Sequence, residues 1–160
     1  MHDVTVALGV RDFDFLIGVW TINNRRLARR LVGSQEWEDF WSTAECRLIL
    51  DGCGNIDEIN APEHGLFGMT LRLFDPARRE WSLYWANSHD GILQPPVVGW
   101  FSKGRGEFYG DDRYEGRSIR VRYIWSEITP ISARWEQAFS LDRGKSWETN
   151  WVMDFVRNSP

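Results

Sequence analysis

Lysine is scarce in this sequence, and it lacks both an excess of positive charge and a long apolar run; each of these two absences excludes a class of protein. Of the 19 basic residues only Lys103 and Lys145 are lysines, and 23 acidic residues bring the net charge to -4. A chain of that charge lacks the basic face that a phosphate backbone requires, so we predict no nucleic-acid partner. No apolar run approaches the roughly 18 residues that span a bilayer, so we predict no membrane association.

Signals for disulfides, secretion and metal binding are also missing. The two cysteines, Cys46 and Cys53, fit neither a disulfide framework nor the spacing of a metal site. The first residues lack the basic region and apolar run of a secretory signal, so we expect a cytoplasmic protein with reduced thiols. No His-Glu-x-x-His motif occurs, and the pair Asp111-Asp112 is typical of a solvated turn. We therefore predict no metal.

Tryptophan is the residue in excess, with ten copies in 160 residues. Each indole buries roughly 150–250 Å² when it packs inside a protein, so we expect the core or a cavity wall to consist largely of these rings. A cavity of that kind favours apolar or aromatic ligands. The chain length suits one domain, which we place over residues 1–160.

Turn signals divide the chain into short segments, and most recur every ten to fifteen residues. A helical pattern is confined to Arg11–Ile17. About ten strands without helices to cover them would leave exposed edges unless the sheet closed on itself. The sequence therefore predicts an all-β fold, a single closed antiparallel barrel of about ten strands with a short N-terminal helix.

Alternation along the strands places most tryptophans on one face. Near the C-terminus Trp151 and Phe155 alternate with polar residues. Further upstream the same rule predicts that Phe67 and Leu71 face inward and Arg72 outward. If the tryptophan face surrounds the centre of the barrel, other residues on that face line a cavity. The expected ligand contacts are Asn24, Trp37, Trp85, Asn87, Gln137 and Trp151.

Three residues on the same face could carry chemistry. Asp39 lies between two tryptophans, and desolvation there would raise its pKa toward the range of a general acid or base. Tyr123 or Arg26 would then stabilise developing negative charge. The structural alternative is an ordinary ion pair between Arg26 and Asp39 at the rim of the barrel.

The opposite register exchanges the two faces, because side chains alternate with a period of two. Arg72, Arg122 and Glu136 would then line a charged cavity, with Glu136 as the base and the arginines holding an anion. The tryptophan face would need a partner subunit or other elements to cover it.

The segment 15–20, Phe-Leu-Ile-Gly-Val-Trp, resembles the lipocalin and calycin signature at the start of the first long strand. With Trp-Glu-Gln-Ala-Phe-Ser at 135–140 and Trp-Glu-Thr-Asn-Trp at 147–151, the chain most closely resembles a little-characterised bacterial group of lipocalin-like barrels. The resemblance implies that Trp20 closes the barrel floor and that Arg157 packs across its ring by cation–π attraction.

Two ligand types of related barrels do not fit this sequence. Haem-binding barrels need an axial histidine near the mouth, whereas His2, His64 and His89 lie at a terminus or beside turn residues. Fatty-acid-binding barrels carry an Arg-x-Tyr clamp, whereas Arg122 and Tyr123 are adjacent and point to opposite faces. No cofactor is predicted.

Three hypotheses for function follow. The leading one is the binding of a small hydrophobic or aromatic molecule in a tryptophan-lined barrel cavity. The alternative is a cofactor-free isomerase, cyclase or lyase that acts on such a molecule with a cavity carboxylate as acid or base. The third is a protein-interaction module, in which a second copy or another protein covers exposed tryptophans.

Overall fold

The computed structural model describes residues 8–159, so His2 lies outside the described residues. Among the described residues no helix is long and apolar enough to cross a membrane. Almost all of the regular structure is antiparallel strand. The ten strands are β1 (Gly18–Leu27), β2 (Trp37–Ile49), β3 (Gly54–Ala61), β4 (Leu66–Asp75), β5 (Glu80–Asn87), β6 (Val97–Ser102), β7 (Arg105–Tyr114), β8 (Arg117–Ser126), β9 (Ser132–Ser140) and β10 (Glu148–Arg157).

Each strand pairs with its neighbours in sequence, and β1 also pairs with β10, which closes the sheet into a barrel. In that closing ladder Trp20 lies opposite Arg157 and Arg26 lies opposite Trp151. The predicted closed antiparallel barrel of ten strands is confirmed. The predicted N-terminal helix is only a 3-10 turn at Asp14–Leu16, because Gly18 already begins the first strand.

Aromatic side chains fill the end of the barrel next to that 3-10 turn. Phe13 and Trp125 are almost completely buried there, with their ring centroids 6.1 Å apart. Arg157 lies 4.2 Å over the ring of the buried Trp20, which is the contact that the family resemblance implied. A Cβ at Gly18 would lie 2.5 Å from Arg157 Nη1, so a glycine leaves room for this arginine. This end of the barrel is a solid floor.

Five connections gather at the opposite end, because alternate turns of an antiparallel barrel lie on the same side. They join β1 to β2, β3 to β4, β5 to β6, β7 to β8 and β9 to β10. The longest of them are loops 28–36 and 88–96. We call this the open end of the barrel.

On two strands, β2 and β4, the face that points into the barrel is the opposite of the predicted one. On β2 the inward residues Ser42 and Ala44 are buried, whereas Trp41 points outward and is 67% exposed. On β4 Arg72 points inward and is 3% exposed, whereas Phe67 points outward and is 43% exposed. Trp41 and Trp100, both on the outer wall, are the exposed tryptophans that the protein-interaction hypothesis requires.

A buried ion pair explains the inward face of β4. Arg72 Nη1 lies 2.7 Å from Asp57 Oδ2 on the neighbouring strand, and both side chains are almost fully buried. The same Nη1 donates to Asn55 Oδ1 at 2.9 Å. A buried arginine is tolerated where a carboxylate balances its charge and further hydrogen bonds satisfy it.

Candidate functional site

A cavity of about 450 Å³ opens between the loops at the open end of the barrel. Loop 88–96 forms part of its mouth and includes Pro95 and Pro96, whose fixed φ angles stiffen that side. We call this space the open cavity. Its aliphatic and phenyl wall is formed by Leu66, Val97, Ile119, Val121 and Phe139.

Two tryptophans, Trp85 and Trp151, form the indole part of the wall and meet edge to face with ring centroids 6.1 Å apart. Trp151 Nε1 donates to Asn24 Oδ1 at 3.0 Å, and Asn24 Nδ2 donates to Ser42 Oγ at 2.8 Å. Trp85 packs directly on Gly68, where any Cβ would overlap the indole. Both rings are therefore held in place by their neighbours, and they offer flat apolar surfaces to a ligand.

Tyr123 brings a phenol to the wall of the open cavity. Burial, and then the nearby Asp112 carboxylate, raise the pKa of Tyr123 above its ordinary value. The phenol therefore stays protonated at neutral pH and can donate a hydrogen bond. Asp112 lines the same cavity.

Two amides add to the polar part of the wall. The backbone N–H of His89 donates to Asn87 Oδ1 at 2.9 Å, which leaves the NH₂ group of Asn87 for a ligand. Gln137 Nε2 donates to Asn150 Oδ1 at 2.9 Å, which leaves the carbonyl oxygen of Gln137. Asn150 is completely buried at the point where the pairing of β10 with β9 shifts register between Thr149 and Trp151. This bulge places an amide behind Gln137.

Arg26 presents a cation to the same cavity. Its guanidinium lies 5.2 Å from the Phe40 ring centroid and 4.9 Å from that of Trp151. Arg26 Nη2 is 3.9 Å from Glu38 Oε2, a loose ion pair, and the buried Arg26 Nε has no partner among the described residues. Burial, and then the charge of Arg30, lower the pKa of Arg26. An arginine still remains charged at neutral pH, so the wall carries a partly desolvated cation.

Further polar side chains lie around the mouth of the cavity. His64 stacks on Phe40 with ring centroids 4.0 Å apart, and its Nε2 lies 3.3 Å from Glu38 Oε2. Asp90 and Asp112 contribute carboxylates elsewhere on the rim. Within residues 8–159 no three His, Cys, Asp or Glu side chains gather as metal ligands would.

Most of the residues predicted to line the cavity meet at this site. Asn24 lies one layer behind the surface, where it holds Trp151. The predicted residues that meet at the site come from β1, β5, β8, β9 and β10. The inward face of each of these strands was predicted correctly. The predicted residues that line the open cavity are Arg26, Trp85, Asn87, Tyr123, Gln137 and Trp151.

Asp39 and Trp37 do not line the cavity, so their predicted placement was wrong. Both point outward from β2: the Asp39 side chain is 69% exposed and lies 3.6 Å from Arg25 Nε. The Arg25 guanidinium in turn lies 5.3 Å from the Trp37 ring centroid. The expected pair between Arg26 and Asp39 does not form, because Arg26 is on the inner face and approaches Glu38 instead.

The alternative register predicted that Arg72, Arg122 and Glu136 face the interior. This is correct for Arg72 and wrong for Arg122 and Glu136. Arg72 is inside the barrel, below the open cavity. Arg122 is on the outer face of β8, with its guanidinium 4.5 Å from the Trp147 ring centroid. Glu136 is on the outer face of β9, because its neighbour Trp135 points inward. Neither residue can act on a ligand inside the barrel.

Several charged residues that line the cavity were not predicted there, among them Asp112 and Arg30. Asp112 does not belong to a solvated turn as predicted but lies within β7. Asp112 lies two and four positions from the inward Gly110 and Phe108 of β7, so alternation along that strand could have found it. Arg30 lies in loop 28–36, where no periodicity indicates direction.

A second void of about 30 Å³ lies deeper in the barrel, and we call it the deep chamber. Trp85, Tyr123, Gln137 and Trp151 line both the deep chamber and the open cavity. The two spaces are therefore neighbours that share one layer of side chains.

Comparisons with known proteins establish the fold. Neither a family model nor a curated protein sequence matches the chain. Among solved structures, the chain is similar to the S-type phycobiliprotein lyase CPES from Guillardia theta, with a TM-score of 0.55 and 14% identity over 92% of this chain and 91% of that one. The finer resemblance to one bacterial group of barrels stays a prediction. The barrel described here is lipocalin-like.

Proposed function

We propose that the protein binds a small, largely apolar or aromatic molecule in the open cavity. The observation that carries the proposal is the cavity itself, about 450 Å³ in volume with a solid floor below it. Ligand pockets commonly measure about 300–1,000 Å³ and combine apolar walls with a few polar groups. The fold shared with a phycobiliprotein lyase supports a role in handling a small molecule, so a bilin belongs among the probes.

The wall indicates how such a molecule would be oriented. Its rings would pack on Trp85 and Trp151, and Asn87 and Gln137 would contact polar atoms at its edge. Arg26 would attract a negatively polarised end, because its charge is only loosely paired.

Quenching of tryptophan fluorescence tests this proposal. We expect saturable quenching by 2-acetylnaphthalene or by biliverdin. Val121→Phe places a ring in the open cavity and should weaken binding by about tenfold or more. Val156→Phe is the matched control, because Val156 is 55% exposed on the outer wall. Equal affinities of the two variants, or no saturable quenching by either probe, would contradict the proposal.

A second function, cofactor-free catalysis, is favoured by one observation. Asp112 and Tyr123 line the same cavity, and the charge of Asp112 contributes to the raised pKa of Tyr123. Asp112 would take a proton from a carbon next to a carbonyl group, and the protonated Tyr123 would donate a hydrogen bond to the oxygen that becomes negative. Isomerases and lyases commonly begin with this step.

Hydrogen exchange at the methyl group of 2-acetylnaphthalene tests for this step. In deuterated water we expect NMR to show faster exchange with the wild-type protein than with buffer. Asp112→Asn should abolish that acceleration, and the exposed Asp39→Asn is the matched control that should retain it. Saturable binding without any acceleration would leave a binding protein and exclude this catalysis.

A further inference from the structure

Two buried donors next to the deep chamber lack hydrogen-bond partners. Arg72 Nε and Trp125 Nε1 have none among residues 8–159, although both atoms are buried. The Arg72 side chain is 4% exposed and Trp125 is 1% exposed, so bulk water does not reach them. Both residues line the deep chamber. Buried polar groups in proteins nearly always have a partner, so two orphaned donors at one void indicate a place for an acceptor.

The charge balance around Arg72 favours an uncharged acceptor. Asp57 Oδ2 lies 2.7 Å from Arg72 Nη1 and is equally buried, so the guanidinium charge is already compensated. An anion in the chamber would add a second negative charge beside one cation in a region of low dielectric. A neutral oxygen would accept from Arg72 Nε and Trp125 Nε1 without that cost.

The size of the deep chamber limits what it can hold. Its volume is about 30 Å³, and a single water needs roughly 10–15 Å³ on the same measure. The chamber therefore has room for one oxygen and the atom bonded to it, and none for a ring or a phosphate group. Tyr123 also lines the chamber, and its protonated phenol can provide a third donor.

We propose that the deep chamber binds the oxygen of a carbonyl group carried by the molecule in the open cavity, and that a water molecule takes this place when the cavity is empty. The ligand part of this inference rests on the proposed function. Tyr123 and Gln137 line both spaces. The carbonyl group of a planar molecule in the open cavity therefore has to pass only this one layer of side chains to reach the deep chamber. The ligand class narrows to apolar or aromatic ketones, aldehydes and quinones.

A matched pair of probes tests the role of the carbonyl. 2-Acetylnaphthalene and 2-isopropenylnaphthalene have the same shape, but the second has a CH₂ group in place of the oxygen. We expect the ketone to bind roughly two- to tenfold more tightly, as for one or two hydrogen bonds. Trp125→Phe should reduce this preference by deleting one of the donors. Trp135→Phe is the control. Trp135 lines the same chamber, but its Nε1 is not one of the buried donors without a hydrogen-bond partner.

Crystal structures with and without 2-acetylnaphthalene provide a second measurement that does not depend on a variant folding. We expect one oxygen within hydrogen-bond distance of Arg72 Nε and Trp125 Nε1 in both crystals, from the ketone in the crystal with 2-acetylnaphthalene and from water in the crystal without it. Equal affinities for the two probes, or a bound ketone whose oxygen faces the mouth, would overturn the carbonyl assignment while the proposed function stands. If neither the naphthalenes nor biliverdin bind, the proposed function fails and with it the carbonyl assignment. If biliverdin binds and neither naphthalene does, only the carbonyl assignment fails. An empty deep chamber in the ligand-free crystal would overturn the acceptor site itself.

Discussion

Asn24 is completely buried, and both polar groups of its amide are in use. Its Nδ2 donates to Ser42 Oγ and its Oδ1 accepts from Trp151 Nε1. Asn24→Leu keeps the volume but leaves both partners unpaired, so we expect a loss of about 1–3 kcal/mol in the free energy of unfolding. Asn23→Leu, on the outer face of the same strand, is the matched control. Urea unfolding measures the free energy of unfolding of both variants. Equal losses would show that the buried amide contributes no more to stability than the amide on the outer face.

The two thiols differ in a way that labelling can measure. Burial raises the pKa of Cys46 to about 11, whereas Cys53 is exposed. At about pH 8 only about one Cys46 in a thousand is a thiolate, and the thiolate is the form that reacts. An aromatic disulfide reagent should therefore label one thiol of the folded protein, and Cys53→Ser should leave none. Rapid labelling of folded Cys53→Ser would contradict this expectation.

At the scale of the strand, the inward face could be predicted where the aromatic residues and most of the other bulky apolar residues lie on one side. On β8 and β10 tryptophan and other apolar residues alternate with polar ones, and the buried side is the apolar side. Because Tyr123, Gln137 and Trp151 lie on such strands or between them, the sequence placed them in the cavity correctly.

The rule failed on β2 and β4 because large residues lie on their outer sides as well. Trp37 is half-buried outside the barrel, where Arg25 covers it, so its apolar area is partly shielded without entering the core. The inner side of β4 includes Gly68 and Arg72, which an apolar pattern assigns to solvent. Packing against Trp85 and pairing with Asp57 decide that side, and both involve residues distant in sequence.

Gly68 and Trp85 should therefore behave as a coupled pair on neighbouring strands. A Cβ at Gly68 would overlap the indole, so we expect Gly68→Ala to destabilise the barrel by about 1–3 kcal/mol. The Trp85→Phe substitution shortens the ring and should restore much of this loss in the double variant. A double-mutant cycle measured by urea unfolding tests the pair, and strictly additive effects would argue against the contact.

At the scale of the whole molecule, the barrel is solid in one half and hollow in the other. Aromatic rings fill the half near the N-terminal 3-10 turn, the Arg72–Asp57 pair lies between the halves, and the open cavity occupies the rest. Strand number and turn spacing predicted the closure of the sheet. The division of the interior could not be predicted, because it depends on how rings from opposite walls meet.

Phe13 is the central ring of the solid half. It is 0% exposed, meets Trp81 and Phe101 edge to face at 5.0 and 4.8 Å, and lies 5.3 Å from the Arg72 guanidinium. Phe13→Ala should lower the free energy of unfolding by about 3–5 kcal/mol, because it leaves a cavity among rigid rings. Phe15→Ala, at a partly buried neighbour, should cost clearly less. Similar losses for both variants in urea unfolding would refute a central role for Phe13.

Because the floor is solid, the barrel is accessible from one end only, and a ligand must enter and leave by the same route. Entry and exit then cross the same barrier, formed by the connections around the rim, such as loop 88–96. A change that only stiffens or loosens that rim alters arrival and departure by the same factor and leaves the affinity unchanged, because affinity depends on the end states alone. The residence time of a ligand and its affinity can therefore vary separately in this protein.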